Sequence, residues 1–95
     1  MVMNFTIISE ITSADMWVNV KAEVLQLWDK HSPSISQVGL IKDGSGIMKF
    51  VSWKKANMPE VEIGDKVTFE NAVTSEYQGK ISLTLNSKSI IIIEV

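Results

Sequence analysis

The sequence contains no cysteine, no arginine and only one histidine, His31. The lack of cysteine excludes a disulfide framework, a thiolate zinc site and a cysteine nucleophile. A single histidine also excludes a catalytic or metal site built from several imidazoles. We therefore expect no metal and no other cofactor. The missing arginine rules out bidentate recognition of guanine by a guanidinium group.

Long apolar runs are missing too. The longest, Ile90 to Ile93, is far below the about 20 residues that a membrane-spanning helix needs. The N-terminus has no basic segment followed by an apolar stretch, which is the pattern of a signal peptide. These absences favour an intracellular, cytoplasmic protein with no membrane contact.

The composition that remains is typical of one globular domain, with 95 residues of which 45% are hydrophobic and 21% are charged. The formal net charge is -2, and all 9 basic residues are lysines. The carboxylates between Glu60 and Glu76 are scattered and form no paired acid and base. Neither a phosphate-cradling glycine loop nor a nucleophile beside a base is present. We therefore predict that the protein is not an enzyme.

The stretch from Trp17 to Leu27 predicts a long first strand. Apolar residues from Val18 to Val24 alternate with polar ones, which is the period of two typical of a half-buried strand. The alternation slips by one residue at Leu25, as a β-bulge would cause, and bulges bend strands. A long, bent first strand is what a small barrel needs to close.

The second strand is predicted from Ile35 to Lys42, after a polar loop from Asp29 to Ser34. It contains Gly39, and a glycine inside a strand often marks a bend or a close backbone approach. The clearest turn of the sequence follows, from Asp43 to Gly46, where the glycines are expected to supply positive φ angles.

A third strand is predicted from Ile47 to Trp53, with Met48 and Phe50 in the core and Lys49 on the opposite face with Trp53.

Two further strands follow after residues 54–64. The fourth covers Val67 to Val73, with Val67 and Phe69 pointing inward, and the fifth alternates from Lys80 to Asn86; the segment Ser75 to Gly79 between them is expected to be a loop.

Five strands, a bent first strand and a crossover between the third and fourth strands indicate an all-β, five-stranded Greek-key barrel, the OB-fold. The crossover contains Pro59 and is expected to be a short helix or irregular chain. The run from Ile90 to Val95 is expected to add a final strand extension. Residues 1–16 are expected to pack across one end of the barrel, with a helical turn from Thr12 to Met16, and residues 17–95 to form the OB domain.

Three segments resemble the OB-fold domains of archaeal replication protein A and related single-stranded DNA-binding proteins. They are Val24–Asp29, Gln37–Trp53 and Glu70–Gly79. These segments look like the end of the first strand, the second and third strands with their turn, and the fourth strand with the loop after it. The similarity runs from Trp17 to about Ile93.

The resemblance implies sequence-tolerant binding of single-stranded DNA in replication, recombination and repair, with a nucleoid-associated location. In the family, a tryptophan of the third strand stacks on a base, which implies Trp53 here. The aromatic before the glycine of the loop between strands four and five does likewise, which implies Tyr77. Many relatives string several OB domains together, so the resemblance also implies other OB domains, or replication and repair proteins, as partners.

The aromatic residues support this interpretation by their positions. Trp53 shares a face with Lys49, which pairs a stacking ring with a phosphate contact; the alternative is that Trp53 caps the barrel end. Tyr77 lies at a predicted loop tip, where an aromatic either binds a ligand or lies back on the barrel. Trp28 either stacks on a base or closes the barrel rim. Trp17 is expected to pack under the N-terminal segment.

The polar candidates are lysines for phosphates and hydroxyls for hydrogen bonds to the ligand. They are Lys30, Lys42, Lys49, Lys54, Lys55 and Lys80, together with Ser82 and Thr84. RNA is an alternative ligand, since the same stacking face would serve it. A second alternative is a protein-interaction OB domain within a larger replication protein A assembly, which the net acidic charge and the apolar run from Ile90 to Ile93 favour. An exposed apolar strand edge invites pairing with another chain, and self-association through the C-terminal strand is one form of such pairing.

Overall fold

A computed structural model describes residues 4–29 and 32–94 of the chain. These residues form six strands: β1 (Trp17–Leu27), β2 (Ile35–Asp43), β3 (Gly46–Trp53), β4 (Lys66–Tyr77), β5 (Lys80–Leu85) and β6 (Ile90–Ile93). The helical segments in this part of the chain are two 3-10 turns, Ile8–Glu10 and Lys54–Ala56. No helix within the described ranges has the length and apolar character needed to cross a membrane.

The first five strands close into a barrel. β1 pairs antiparallel with both β2 and β4, β2 pairs with β3, and β4 pairs with β5. β3 and β5 run parallel and complete the circuit, while β6 is added antiparallel to β4. The predicted five-stranded OB-fold barrel is therefore confirmed. The crossover between β3 and β4 consists of the short turn Lys54–Ala56 and irregular chain, as expected.

β1 bends because it pairs with two different neighbours. Its first part, from Trp17 to Glu23, pairs with β4, and its last part, from Glu23 to Leu27, pairs with β2. The register with β2 shifts between Val24 and Gln26, which places the predicted bulge at Leu25. The slip in the sequence alternation thus marks the point where the strand turns toward its second partner.

The barrel interior is filled by the inward residues of each strand. Phe50 of β3 and Phe69 of β4 are fully buried, and their ring centroids lie 5.5 Å apart. Met48 and Val67 also point inward, so the predicted core positions of these two strands are confirmed. Fully burying an aliphatic or phenylalanine side chain stabilises a fold by about 1.5–3 kcal/mol. Among the described residues, the other fully buried aliphatic side chains are Val20, Val24, Ile41, Ala72, Leu83 and Leu85.

The segment before β1 lies against the barrel through Ile8 and Ile11, which are both buried. The helical turn predicted from Thr12 to Met16 is wrong, since the 3-10 turn lies at Ile8–Glu10. The reason is a set of tertiary hydrogen bonds to Thr74 of β4. The Thr74 hydroxyl accepts from the Met16 N–H at 2.8 Å and donates to the Ser13 carbonyl at 2.7 Å. Backbone groups that a helical turn would pair locally are therefore bonded to the barrel.

The β2–β3 turn is held by a carboxylate. Gly44 and Gly46 do not adopt the positive φ angles expected for them. Instead, one oxygen of Asp43 accepts hydrogen bonds from the N–H groups of Ser45 (2.7 Å) and Gly46 (3.1 Å) and from the Ser45 hydroxyl (2.6 Å). The second oxygen accepts from the N–H of Ile8 at 2.9 Å. The same carboxylate therefore fixes the turn and anchors the N-terminal segment.

The β4–β5 connection is shorter than predicted. Residues 75–77 belong to β4, and Tyr77 pairs directly with Lys80 of β5. The turn consists of Gln78 and Gly79 alone, with φ angles of 52° and 79°. Two successive positive φ angles match the right-handed twist of the flanking strands, as in a type I′ hairpin. The loop predicted from Ser75 to Gly79 is therefore mostly strand.

Candidate nucleic-acid interface

The outward residues of four neighbouring strands form one continuous surface, which we call the outer face. It arises because β3 buries Met48, Phe50 and Ser52 and so turns the intervening residues outward. Residues of β2 and β5 that pair directly with these outward residues point to the same side, and so do the residues of β4 that pair with β5. The outer face comprises Leu40, Ile47, Lys49, Val51, Trp53, Val73, Ser75, Tyr77, Lys80, Ser82 and Thr84. Val38 of β2 lies opposite Val51 but is buried, so it is not part of this surface.

The strand register sets which of these side chains are neighbours. Lys49 lies opposite Ser82 of β5 on one side and opposite Leu40 of β2 on the other. Thr84 lies opposite both Val51 and Val73. The predicted site residues Lys49 and Ser82 are thus adjacent in space, although 33 positions separate them in the sequence.

An open groove of about 600 Å³ crosses one end of the outer face. It runs between Trp28, just after β1, and the β4–β5 turn. Five of the predicted site residues line this groove: Trp28, Lys49, Tyr77, Lys80 and Ser82. The groove therefore contains all three predicted kinds of contact, namely aromatic rings, ammonium groups and a hydroxyl.

The two aromatic side chains of the groove are both accessible. Tyr77 is 76% exposed and stands at the end of β4. Trp28 is 40% exposed, and its backbone N–H donates a 2.8 Å hydrogen bond to the carbonyl of Val38, which holds it beside β2. An exposed ring on a hydrogen-bonded backbone is available for stacking without a large loss of conformational freedom.

Trp53 is on the outer face but outside the groove. It is the last residue of β3, and its side chain is 37% exposed. Lys54 and Lys55 follow it in the 3-10 turn and border a separate hollow of about 380 Å³ with Pro33 and Ser34. The predicted site is thus divided into the groove and a second cluster around Trp53.

A strip of hydroxyl groups joins β4 to β5 on the outer face. The Ser75 hydroxyl lies 3.3 Å from that of Ser82 and 3.1 Å from that of Thr84. Each hydroxyl has one donor and two acceptor positions, so the strip retains hydrogen-bonding capacity toward a ligand. Ser75 is not among the site residues predicted from the sequence, because the sequence predicts a loop at this position.

Trp17 is the clearest error among the predicted positions. It was expected under the N-terminal segment, but it is 61% exposed. Val18 takes the inward position at the start of β1, and Trp17 therefore points outward, opposite Val73 of β4. The alternation of β1 carried this information, since the neighbour of a buried strand residue points to the other face.

The charges of the outer face are lysines. Lys49 and Lys80 are exposed beside the groove. Lys42 is exposed at the end of β2, and it borders a different hollow of about 430 Å³ together with Lys21, Lys66 and three acidic residues.

Within residues 4–29 and 32–94, no group of three or more histidine, aspartate or glutamate side chains could hold a metal ion. The predicted contact Lys30, like His31, lies outside the described residues.

Solved structures resemble this chain over almost its whole length. The OB domain of MM0293 from Methanosarcina mazei is 38% identical, with 99% of this chain and 86% of that one covered and a TM-score of 0.92. The chain belongs to the OB-domain family. No protein-family model and no curated protein matches it.

Two more distant structures share the fold of this OB domain. Schizosaccharomyces pombe Pot1pC bound to single-stranded DNA is 16% identical, with 96% of this chain and 86% of that one covered and a TM-score of 0.71. The HINa domain of Ifi202 in complex with double-stranded DNA is 22% identical, with 97% and 47% covered and a TM-score of 0.79. At these identities the likeness concerns the fold alone.

Proposed function

We propose that this OB domain binds single-stranded DNA with little preference for sequence. The observation that carries the proposal is the groove of about 600 Å³, in which Trp28 and Tyr77 face Lys49, Lys80 and Ser82. Aromatic rings for bases and ammonium groups for phosphates are the two contacts that sequence-tolerant single-strand binding requires.

The chemistry of the basic residues favours contact with the nucleic-acid backbone. A lysine ammonium group is a compact point charge that holds a phosphate but does not read a base edge in two places. With no arginine in the chain, base recognition is left to stacking and to the hydroxyls of Ser75, Ser82 and Thr84. Stacking accepts every base, so low sequence preference follows.

The relatives support nucleic acid as the class of ligand. Pot1pC binds single-stranded DNA and the Ifi202 HINa domain binds double-stranded DNA. We favour the single strand for this domain because the groove offers exposed rings, and only unpaired bases present their faces to such rings. RNA is a ligand that the same surface would accept, and the 2′-hydroxyl is what would distinguish it.

The proposed role is in replication, recombination and repair, together with other OB domains. The middle of the outer face presents Val51, Val73 and Thr84 and no aromatic ring. Few stacking positions imply modest affinity for one domain. Linked OB domains would raise the effective concentration of each site for the same strand and so tighten binding.

The experiment is a fluorescence titration of the protein with oligothymidine of about 15 nucleotides at low salt, beside matched RNA and duplex DNA. Tryptophan emission is expected to be quenched by the single strand, more than by the duplex, with affinity falling as salt rises. Unchanged emission, together with unchanged anisotropy of a labelled oligothymidine, would refute the proposal.

A second candidate function is self-association through β6. Within the described residues, the edge of β6 away from β4 is unpaired, and Ile90 and Ile92 are 49% and 47% exposed. An exposed apolar strand edge is a template for pairing with another chain. Light scattering is expected to show a dimer that Ile92→Lys converts to a monomer; a monomer at all concentrations contradicts this candidate.

A further inference from the structure

Trp17 is the most exposed tryptophan of the chain. Its side chain is 61% exposed, compared with 40% for Trp28 and 37% for Trp53. Its backbone is nevertheless ordered, because it pairs with Val73 at the start of β1. An aromatic ring that is accessible on a paired strand residue can stack on a base, so its position relative to the proposed site decides whether it contributes to binding.

The register places Trp17 on the same surface as the proposed site. Val73, its partner on β4, lies opposite Thr84 of β5, and Thr84 lies opposite Val51 of β3. Directly paired residues of neighbouring strands point to the same side of a sheet. Trp17 therefore extends the outer face by one strand, onto β1, beyond the residues identified from the sequence.

The row that contains Trp17 has a second tryptophan at its other end. Val51 lies opposite Val38 of β2, and the carbonyl of Val38 accepts the N–H of Trp28. Four strand spacings of about 4.8 Å separate Val38 from Trp17, or roughly 19 Å along the curved surface. Val51, Thr84 and Val73, which are half-buried and smaller than tryptophan, occupy the row between Val38 and Trp17.

We propose that Trp17 stacks on a base at the β1 side of the outer face, so that a bound single strand crosses the sheet from Trp28 to Trp17. The proposal rests on the proposed function. It adds a binding residue, Trp17, and the path that the bound strand takes across the sheet. A strand that fills only the groove would not reach Trp17. The contribution of this residue therefore depends on the length of the oligonucleotide.

The experiment compares wild type and Trp17→Ala with oligothymidines from about 4 to about 16 nucleotides, using the anisotropy of a fluorescent label on the DNA. Wild type is expected to bind more tightly as the strand grows long enough to span both tryptophans. Trp17→Ala is expected to bind the shortest strand as well as wild type does, and the longer ones about 5- to 150-fold more weakly, which corresponds to the loss of one stacked base.

Three further variants separate stacking from folding. Trp17→Phe keeps an aromatic ring and is expected to retain the increase in affinity with oligonucleotide length. Trp17→Leu keeps apolar bulk and is expected to lose that increase. Ile63→Ala removes a side chain that is 64% exposed in the segment before β4, away from the outer face, and is expected to bind like wild type.

The outcomes distinguish the two proposals. If wild type binds no oligothymidine, the proposed function fails and the role of Trp17 with it. If wild type gains affinity with length and Trp17→Leu gains equally, the proposed function stands and the role of Trp17 is overturned. An equal loss for Trp17→Ala at every length, short strands included, also overturns the crossing path.

Discussion

Gly39 of β2 lies so close to Gln26 of β1 that a β-carbon on Gly39 would overlap the Gln26 carbonyl oxygen. This contact lies next to the bulge at Leu25, where β1 turns from β4 toward β2. The absence of a β-carbon at Gly39 therefore leaves the space in β2 that the backbone of β1 occupies at the bend.

Replacing Gly39 with alanine is expected to destabilise the fold by about 2 kcal/mol or more, because the backbone of β1 must move to admit the methyl group. Gly44→Ala is the matched control. A β-carbon there meets nothing within 4 Å, so its effect is expected to stay within about 0.5 kcal/mol. Urea unfolding of both variants measures the difference, and equal stabilities would contradict the expectation.

The Asp43 carboxylate gives the fold a dependence on pH. Partial burial raises the pKa of this group, but hydrogen bonds from Ser45, Ile8 and Gly46 outweigh that effect, and the pKa is lowered from its ordinary value of 3.8. A lowered folded-state pKa means that Asp43 stabilises the fold above about pH 4, and that this stabilisation is lost as the pH falls through the folded value.

Asp43→Ala is expected to cost roughly 1–2 kcal/mol at neutral pH, since hydrogen bonds to a charged acceptor are lost at a partly exposed site. The gap in stability between wild type and variant should narrow as the pH falls below about 4. Urea unfolding at neutral and acidic pH tests this. A gap that widens in acid would show that the carboxylate is not the stabilising group.

Ser52 places a hydroxyl inside the barrel. Its side chain is fully buried, and within the described residues its oxygen has no hydrogen-bond partner. A buried hydroxyl without a partner costs free energy that a methyl group does not. Ser52→Ala is therefore expected to leave stability unchanged or raise it by up to about 1 kcal/mol in thermal unfolding. A loss above 1 kcal/mol would show that the hydroxyl is bonded in solution.

Trp53 can be tested against its structural alternative. If it stacks on a base, Trp53→Ala should weaken binding to oligothymidine by about 1–3 kcal/mol, and Trp53→Phe by less. If it only caps the barrel end, the same variant should lose thermal stability while its affinity stays unchanged. Measuring both quantities on both variants decides between the two roles.

Lys49 and Lys80 are expected to set the salt dependence of binding. Each phosphate contact on a single strand contributes about 0.7 to the slope of log affinity against log salt. Lys49→Gln and Lys80→Gln should each reduce the slope by about that amount, while Lys66→Gln, which borders a different hollow, should leave it unchanged. Identical slopes for all four proteins would remove both lysines from the site.

Alternation in the sequence was sufficient to predict the strands and much of the core. β1 and its bulge, the inward positions of Met48 and Phe50, and the outward positions of Lys49 and Trp53 all follow from which residues are apolar in a pattern of period two. Such patterns are local, and burial of one strand face enforces them wherever the strand lies in the fold.

The turns show where local reasoning fails. Glycines were expected to shape the β2–β3 turn through positive φ, but the Asp43 carboxylate shapes it, with a bond to Ile8 that lies 35 positions away. The segment before β1 lacks its predicted helical turn because Thr74, 58 positions from Met16, takes up its backbone groups. These partners are distant in the chain, so no local sequence pattern indicates them.

By itself, the sequence determined the class of fold and the faces of its strands, because side-chain periodicity and burial act within each strand. Only the tertiary structure decided which faces meet. It placed Tyr77 at the end of a strand, gathered Trp28, Lys49 and Lys80 around one groove, and left Trp17 in solvent beside Val73. The physical reason is that strand pairing between distant segments, once closed into a barrel, determines which outward residues become neighbours.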